Sequence, residues 1–373
     1  MKKIFGAGVA PGLHSCDLWY NYTQFVMLTI FGGCLLISRN VSKYLRGLAM
    51  LIVIASHYSE WMYIEPAIPA LRHCISTWGP PGVDIFFLLS GYGLYKSYKA
   101  AGRIDGEFIL KRVLAVYLPY LLLFLLLEIY HGEAFYRDLS GWVNFFTAGE
   151  FWFLNVMFVM YAAFIICFAF FKKAALPALV IMGVAHTVWL HMTGHADFWM
   201  LSNHAFALGV FAAAGENRFS RLYTKKNKLL LMLAGLAGAS AAFVIMQRMG
   251  GSGRAESYVA ELVMNAFITL AVLGAAYLLP DKKIAVLAVI GEASLFIYIL
   301  HTTMFYAIIF KLESFGYALG TAVTAIITVL CAVVLFKLYS LFHGKVLKEI
   351  RKKYEKIRSA QIQLHYIDTD AAA

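Results

Sequence analysis

The sequence predicts an all-α fold, a polytopic membrane helix bundle, and three observations carry that prediction. The 373 residues are 61% hydrophobic and only 14% charged, too apolar a mixture to clothe a surface in water. The apolar residues come in runs of roughly 18 to 25 separated by short charged connectors, the length needed to cross hydrocarbon as a helix. They lack the alternating in-out period of a membrane barrel, and a helix satisfies all its backbone groups within the segment.

In chain order the runs are 23–38, 47–64, 79–96, 108–130, 151–171, 175–192, 198–215, 228–247, 257–279, 284–310 and 316–342, eleven candidate helices. The first, containing "QFVMLTIFGGCLLI", is short and has a glycine pair. It has no recognisable cleavage site and is read as an extra helix, not a signal peptide. Residues 1–42 then form an N-terminal extension, 43–342 one membrane domain and 343–373 a basic tail.

The Lys and Arg residues of alternate connectors set the orientation. Twenty-five fall in one set of connectors and the tail, five in the other set (Arg72, Arg137, Arg248, Arg254, Lys311), and Lys2 and Lys3 complete the 32. The bias puts the C-terminus in the cytoplasm and the N-terminus outside an inner, or plasma, membrane. The net charge of +11 follows from this topology and needs no nucleic-acid partner.

The five cysteines are scattered, with no Cys-x-x-Cys pair, and indicate neither a disulfide framework nor a zinc site. His186, His191, His195, Asp197 and His204 crowd one outer connector. His191 and His195 have the spacing of a helical metal pair, but Gly194 interrupts them and no Glu follows His191, so no metal site is assigned. In the tail, "KVLKEIRKKYEKIR" (residues 345–358) is either a basic helix on the anionic leaflet or a solvated extension of the last spanning helix. Residues after Ser359 read as disordered.

The second helix of the eleven carries "RGLAMLIVIASHYSE", in which Arg46 and His57 stand eleven residues apart. That separation is three turns plus roughly 20°, and roughly 16 Å along the axis, so the two share a face. Arg46 falls at the cytoplasmic mouth and His57 beyond the midplane. The next helix opens "GPPGVDIFFLLSGYG" and brings Asp84 to a similar depth, where a carboxylate and an imidazole can meet. Ionisable groups in hydrocarbon are costly and each implies a partner or a function.

At these residues the chain resembles the acyltransferase-3 family of membrane O-acyltransferases. The resemblance rests on Arg46-x10-His57, on "GVDIFFLLSG" (Gly82–Gly91), on Trp152-Phe153-Leu154 and on Ser294-x3-Tyr298-x2-His301, and it covers roughly residues 43 to 342, ten helices. It departs from the family at "KRVLAVYLP", where Arg112 is followed by Ala115 in place of a second arginine, and in the extra N-terminal helix. The resemblance implies acyl transfer, commonly acetyl, from cytoplasmic acyl-CoA as co-substrate, with no permanently bound cofactor, to a hydroxyl of a sugar or lipid-linked glycan outside. It implies His57 as general base with Asp84 orienting it, Arg46, Lys111 and Arg112 as donor contacts, and Trp152 and His301 as walls of the acceptor pocket.

The residues agree independently, since an imidazole near its usual pKa suits proton abstraction and a basic mouth suits a phosphate-bearing donor. Some family members carry an appended hydrolase-like domain, for which this sequence has no room, so a separate outer acceptor protein is the other route for the acyl group. The alternative function is a polar-solute transporter or flippase using Arg46, His57 and Asp84 as a path. A third class, membrane O-acyltransferases with an Asn/His pair, accounts for the hydrophobicity but not for the motifs.

Overall fold

In the computed structural model the described residues are 37–61, 75, 78–132, 137–149, 151–216, 224–250, 257–282, 284–309, 311–312 and 316–371. Among them every regular element is helical. The run at 23–38 lies almost wholly outside the described residues.

The helices are α1 (Arg39–Trp61), α2 (Gly79–Ala101), α3 (Gly106–Arg112), α4 (Leu118–His131), α5 (Leu139–Thr147), α6 (Trp152–Phe170), α7 (Ala175–Met192), α8 (Asn203–Gly215), α9 (Lys225–Arg248), α10 (Tyr258–Leu278), α11 (Ala285–Glu292), α12 (Ser294–Ile309) and α13 (Tyr317–Ala371). A single π-helical turn, Val113–Tyr117, joins α3 to α4 in one span. Seven spans among the described residues are long and apolar enough to cross a membrane, eight if α11 and α12 form one bent span. The helices α1 and α2 fall outside that set because polar and charged residues, Arg46, His57 and Asp84 among them, interrupt their apolar runs.

Each of the ten runs from 47–64 onward corresponds to helix, with three differences. The run at 284–310 is broken: α11 and α12 meet at a 75° bend. There the Ser294 hydroxyl donates to the Gly291 carbonyl at 3.0 Å, capping the turn locally. The helix α1 starts at Arg39, capped by the Ser38 hydroxyl, which accepts from the Val41 amide at 3.2 Å. Arg46 therefore lies two turns inside the helix. Lastly, α13 runs without a break to Ala371. This takes the second reading of the tail, an extension of the last spanning helix, and corrects the expectation of disorder after Ser359.

Close packing rests on glycines facing carbonyls. A Cβ on Gly91 of α2 would collide with the Phe206 carbonyl of α8, and one on Gly209 of α8 with the Leu88 carbonyl of α2. The pairs Gly47 with Leu287 and Gly291 with Lys43 do the same for α1 and α11. Without a hydrophobic drive between helices in lipid, this backbone-to-backbone approach is what holds them. The apolar core joins α1, α2, α4, α6, α8, α12 and α13 around Tyr58, Phe87, Tyr120, Phe164 and Phe206.

Candidate active site

At the end of the bundle that carries most of the basic connectors, α1 and α11 are tied by an ion pair between Lys43 and Glu292. Arg46, one turn on, donates through Nε to the Ser42 carbonyl at 3.3 Å. It lies in electrostatic range of Glu292 and of Tyr161 on α6. Arg112, at the start of the π-turn, stacks over Phe108 at 5.1 Å and is also within range of Tyr161. Arg46 of α1 and Arg112 of α3 thus both lie within electrostatic range of one tyrosine of α6.

Lys111 does not join them. One residue of helix is 100° of rotation, and Lys111 turns outward to pair with Glu107 at 2.6 Å, one turn earlier on the same helix. The start of α3 is fixed by Asp105, whose carboxylate accepts from the Phe108 amide at 2.9 Å and from Arg103 at 2.8 Å. The amide foremost, and the guanidinium after it, hold the Asp105 carboxyl below the usual range.

About three turns along α1 from Arg46 stands His57, half-buried. Its ring lies 5.3 Å, centroid to centroid, from that of His301 on α12. His301 is 4% exposed, and its Nδ1 donates to the Tyr298 carbonyl. That bond fixes one tautomer, in which Nε2 accepts. The next residue of α1 braces the same turn from behind: the Tyr58 hydroxyl donates to the His301 carbonyl at 3.0 Å and lies 3.2 Å from the Thr328 hydroxyl of α13.

The aromatic wall beside the two imidazoles comes from the start of α6. Phe153 packs edge-on to Tyr298 at 5.1 Å and to Phe87 of α2 at the same spacing. Trp152, half-buried, faces away toward Phe198 at 5.2 Å and Trp199 at 6.4 Å. His57, His301, Tyr298 and Phe153 therefore form one neighbourhood, with Trp152 on its flank.

Asp84 has other neighbours. It is 1% exposed, and its Oδ2 lies 3.3 Å from the Thr269 hydroxyl of α10. Ser202, preceding α8, lies beside it, and His204 Nε2 is 3.3 Å from the Thr269 hydroxyl. The reading of Asp84 as the carboxylate that orients His57 gains no contact among the described residues; the ring next to His57 is that of His301. The cause is rotational: Gly79 and Gly82 take the side of α2 that faces Ser56, Val53 and Ala49 of α1, which turns Asp84 toward α10.

His186, His191 and His195 are dispersed among aromatic rings. His195 packs on Trp199 at 4.8 Å and its Nδ1 is 2.8 Å from the Thr193 hydroxyl, His186 stacks on Trp189, and His191 on Tyr258. Among the described residues no three His, Cys, Asp or Glu side chains gather as a metal-ligating group.

Sequence reasoning missed Tyr161, Tyr58 and Thr269. Only Tyr161 left a trace, being nine residues, two and a half turns, beyond Trp152 on the same helix. The arrangement offers an imidazole pair suited to moving a proton and, some 16 Å away along α1, a positive cluster suited to an anion.

A family model described as an acyltransferase domain, that of the acyltransferase-3 family, matches residues 42–337. No curated protein and no solved structure matches the chain.

Proposed function

The chain belongs to the acyltransferase-3 family and is a membrane acyltransferase, and on that premise we propose that it moves an acyl group, acetyl in the first instance, from acyl-CoA to a hydroxyl of a sugar or lipid-linked glycan. The donor arrives as co-substrate from the cytoplasm, its phosphates meeting Arg46 and Arg112, and its pantetheine arm runs along α1 toward His57. The observation that carries this reading is the face of α1 that links a guanidinium pair at one end to an imidazole pair at the other. An extended donor with an anionic head and a reactive tail fits that spacing.

His57 takes the proton of the acceptor hydroxyl as its oxygen bonds to the thioester carbon. The tetrahedral intermediate then expels sulfur by breaking the carbon–sulfur bond, and the imidazolium returns the proton to the departing thiolate. His301, held on the Tyr298 carbonyl, packs beside the His57 ring and keeps it in place. Trp152 with Phe198 and Trp199 forms the apolar platform on which a sugar ring would lie.

In this reading the basic end faces the cytoplasm, the membrane is the plasma membrane, and the acylated glycan or a separate outer acceptor protein lies on the other side. Thermal stability of the purified protein in detergent tests the donor site. Acetyl-CoA should raise the wild-type midpoint and leave that of Arg46→Ala unchanged. No rise at millimolar acetyl-CoA would remove acetyl-CoA as donor. The transporter reading differs in one respect that decides between them: a transporter returns its solute unchanged, whereas transfer leaves a new ester.

A further inference from the structure

Between α2, the start of α8 and α10 lies a buried polar cluster that the transfer chemistry does not use. Asp84 is 1% exposed, Ser202 2%, Asn265 0% and Thr269 1%. Thr269 is the link to the carboxylate: its hydroxyl is 3.3 Å from Asp84 Oδ2 and donates to the backbone carbonyl of Asn265, one turn earlier on α10, at 2.9 Å. Ser202 stands at the carboxylate and His204 at the far side of Thr269. The partners run out there: Asp84 Oδ1, Ser202 Oγ and both ends of the Asn265 side-chain amide make no hydrogen bond.

Leaving such atoms bare in the interior of a membrane bundle is unfavourable for each neutral group and more so for a charged one. A carboxylate there calls for a positive partner. Among the described residues no lysine or arginine forms an ion pair with Asp84; the basic side chains in ion pairs are taken by Glu292, Glu216, Asp105, Glu107 and Glu349. The open atoms are mostly oxygens, one formally charged and the rest neutral, contributed by three helical segments.

We propose that this cluster is a binding site for a monovalent cation, sodium in the first instance, ligated by Asp84 Oδ1, Ser202 Oγ and Thr269 Oγ1. Hard cations take oxygen ligands. One carboxylate balances one positive charge, whereas a divalent ion would leave a net charge buried among apolar helices. The ion would staple α2 to α8 and α10, and so fix the side of α2 whose other edge packs on α1 beside His57. The site rests on nothing in the transfer reading and is tested without activity.

The test is the thermal midpoint of the full chain in detergent, titrated with sodium chloride against choline chloride at constant ionic strength. The wild type should show a saturable rise in sodium, and Asp84→Asn should lose it. Equal midpoints in the two salts would overturn the site, as would an undiminished sodium response in Asp84→Asn. If that variant does not fold, Ser202→Ala, which removes one neutral oxygen, should raise the half-saturating sodium concentration several-fold. An unchanged concentration would equally overturn the proposal.

Discussion

Lys111 and Arg112 are neighbours in sequence and serve different surfaces, because 100° of helix rotation separates a side chain that pairs with Glu107 from one that turns toward Tyr161. Arg112→Ala should therefore abolish the midpoint rise produced by acetyl-CoA, and Lys111→Ala should keep it; the two titrations check this directly. His57→Gln should lower transfer by at least about 10²-fold, the scale of general-base catalysis, with a melting midpoint near that of wild type. Asp105 offers a pH-dependent case. Its carboxyl is held low by the Phe108 amide, so its contribution is present above the unfolded aspartate value of about 3.9 and is lost as pH falls through the lower folded value. Asp105→Ala should cost about 1 kcal/mol at pH 7, and melts should show the difference from wild type closing at strongly acid pH. Of the site residues, Arg46 and His57 were legible because their spacing is a property of one helix. The neighbours of Asp84 were not, since Thr269 is 185 positions away and only the rotation of α2 against α1 decides which helix the carboxylate meets.

At the level of helices, the glycines of "GVDIFFLLSG" are explained by where they sit. Gly91 meets the Phe206 carbonyl of α8, while Gly93, two residues on, has open space around the position of a Cβ. Gly91→Ala should destabilise the protein by about 1–3 kcal/mol through forced separation of α2 and α8, and Gly93→Ala should be neutral or slightly stabilising. Parallel thermal melts of the two variants measure this. The long apolar helices, seven spans among the described residues, were legible because hydrocarbon thickness imposes a length that apolar runs reveal. The short helix α5, with Leu139, Val143 and Phe146 exposed, carries too few residues to make such a run. The bend between α11 and α12 was hidden for the opposite reason: both arms are apolar, and the break is a local matter of Ser294 bonding to Gly291.

For the molecule as a whole, fold class and family were readable from composition and two tandem motifs, while the placement of the site depended on how the helices pack. The bundle puts positive charge at one end of α1 and paired imidazoles three turns away. Its sidedness is checked by labelling single cysteines placed at Lys99 and at Arg137 in intact cells: only the second should react with an impermeant reagent, and the reverse pattern would invert the proposed direction of transfer. The most direct test of the central claim follows the acyl group itself. Membranes holding the wild type or His57→Gln are given acetyl-CoA labelled in its acetyl carbon. The account predicts alkali-labile label in the glycan or glycolipid fraction for the wild type and none above background for His57→Gln. Equal labelling by the two proteins, or donor binding with no ester formed by either, would contradict it.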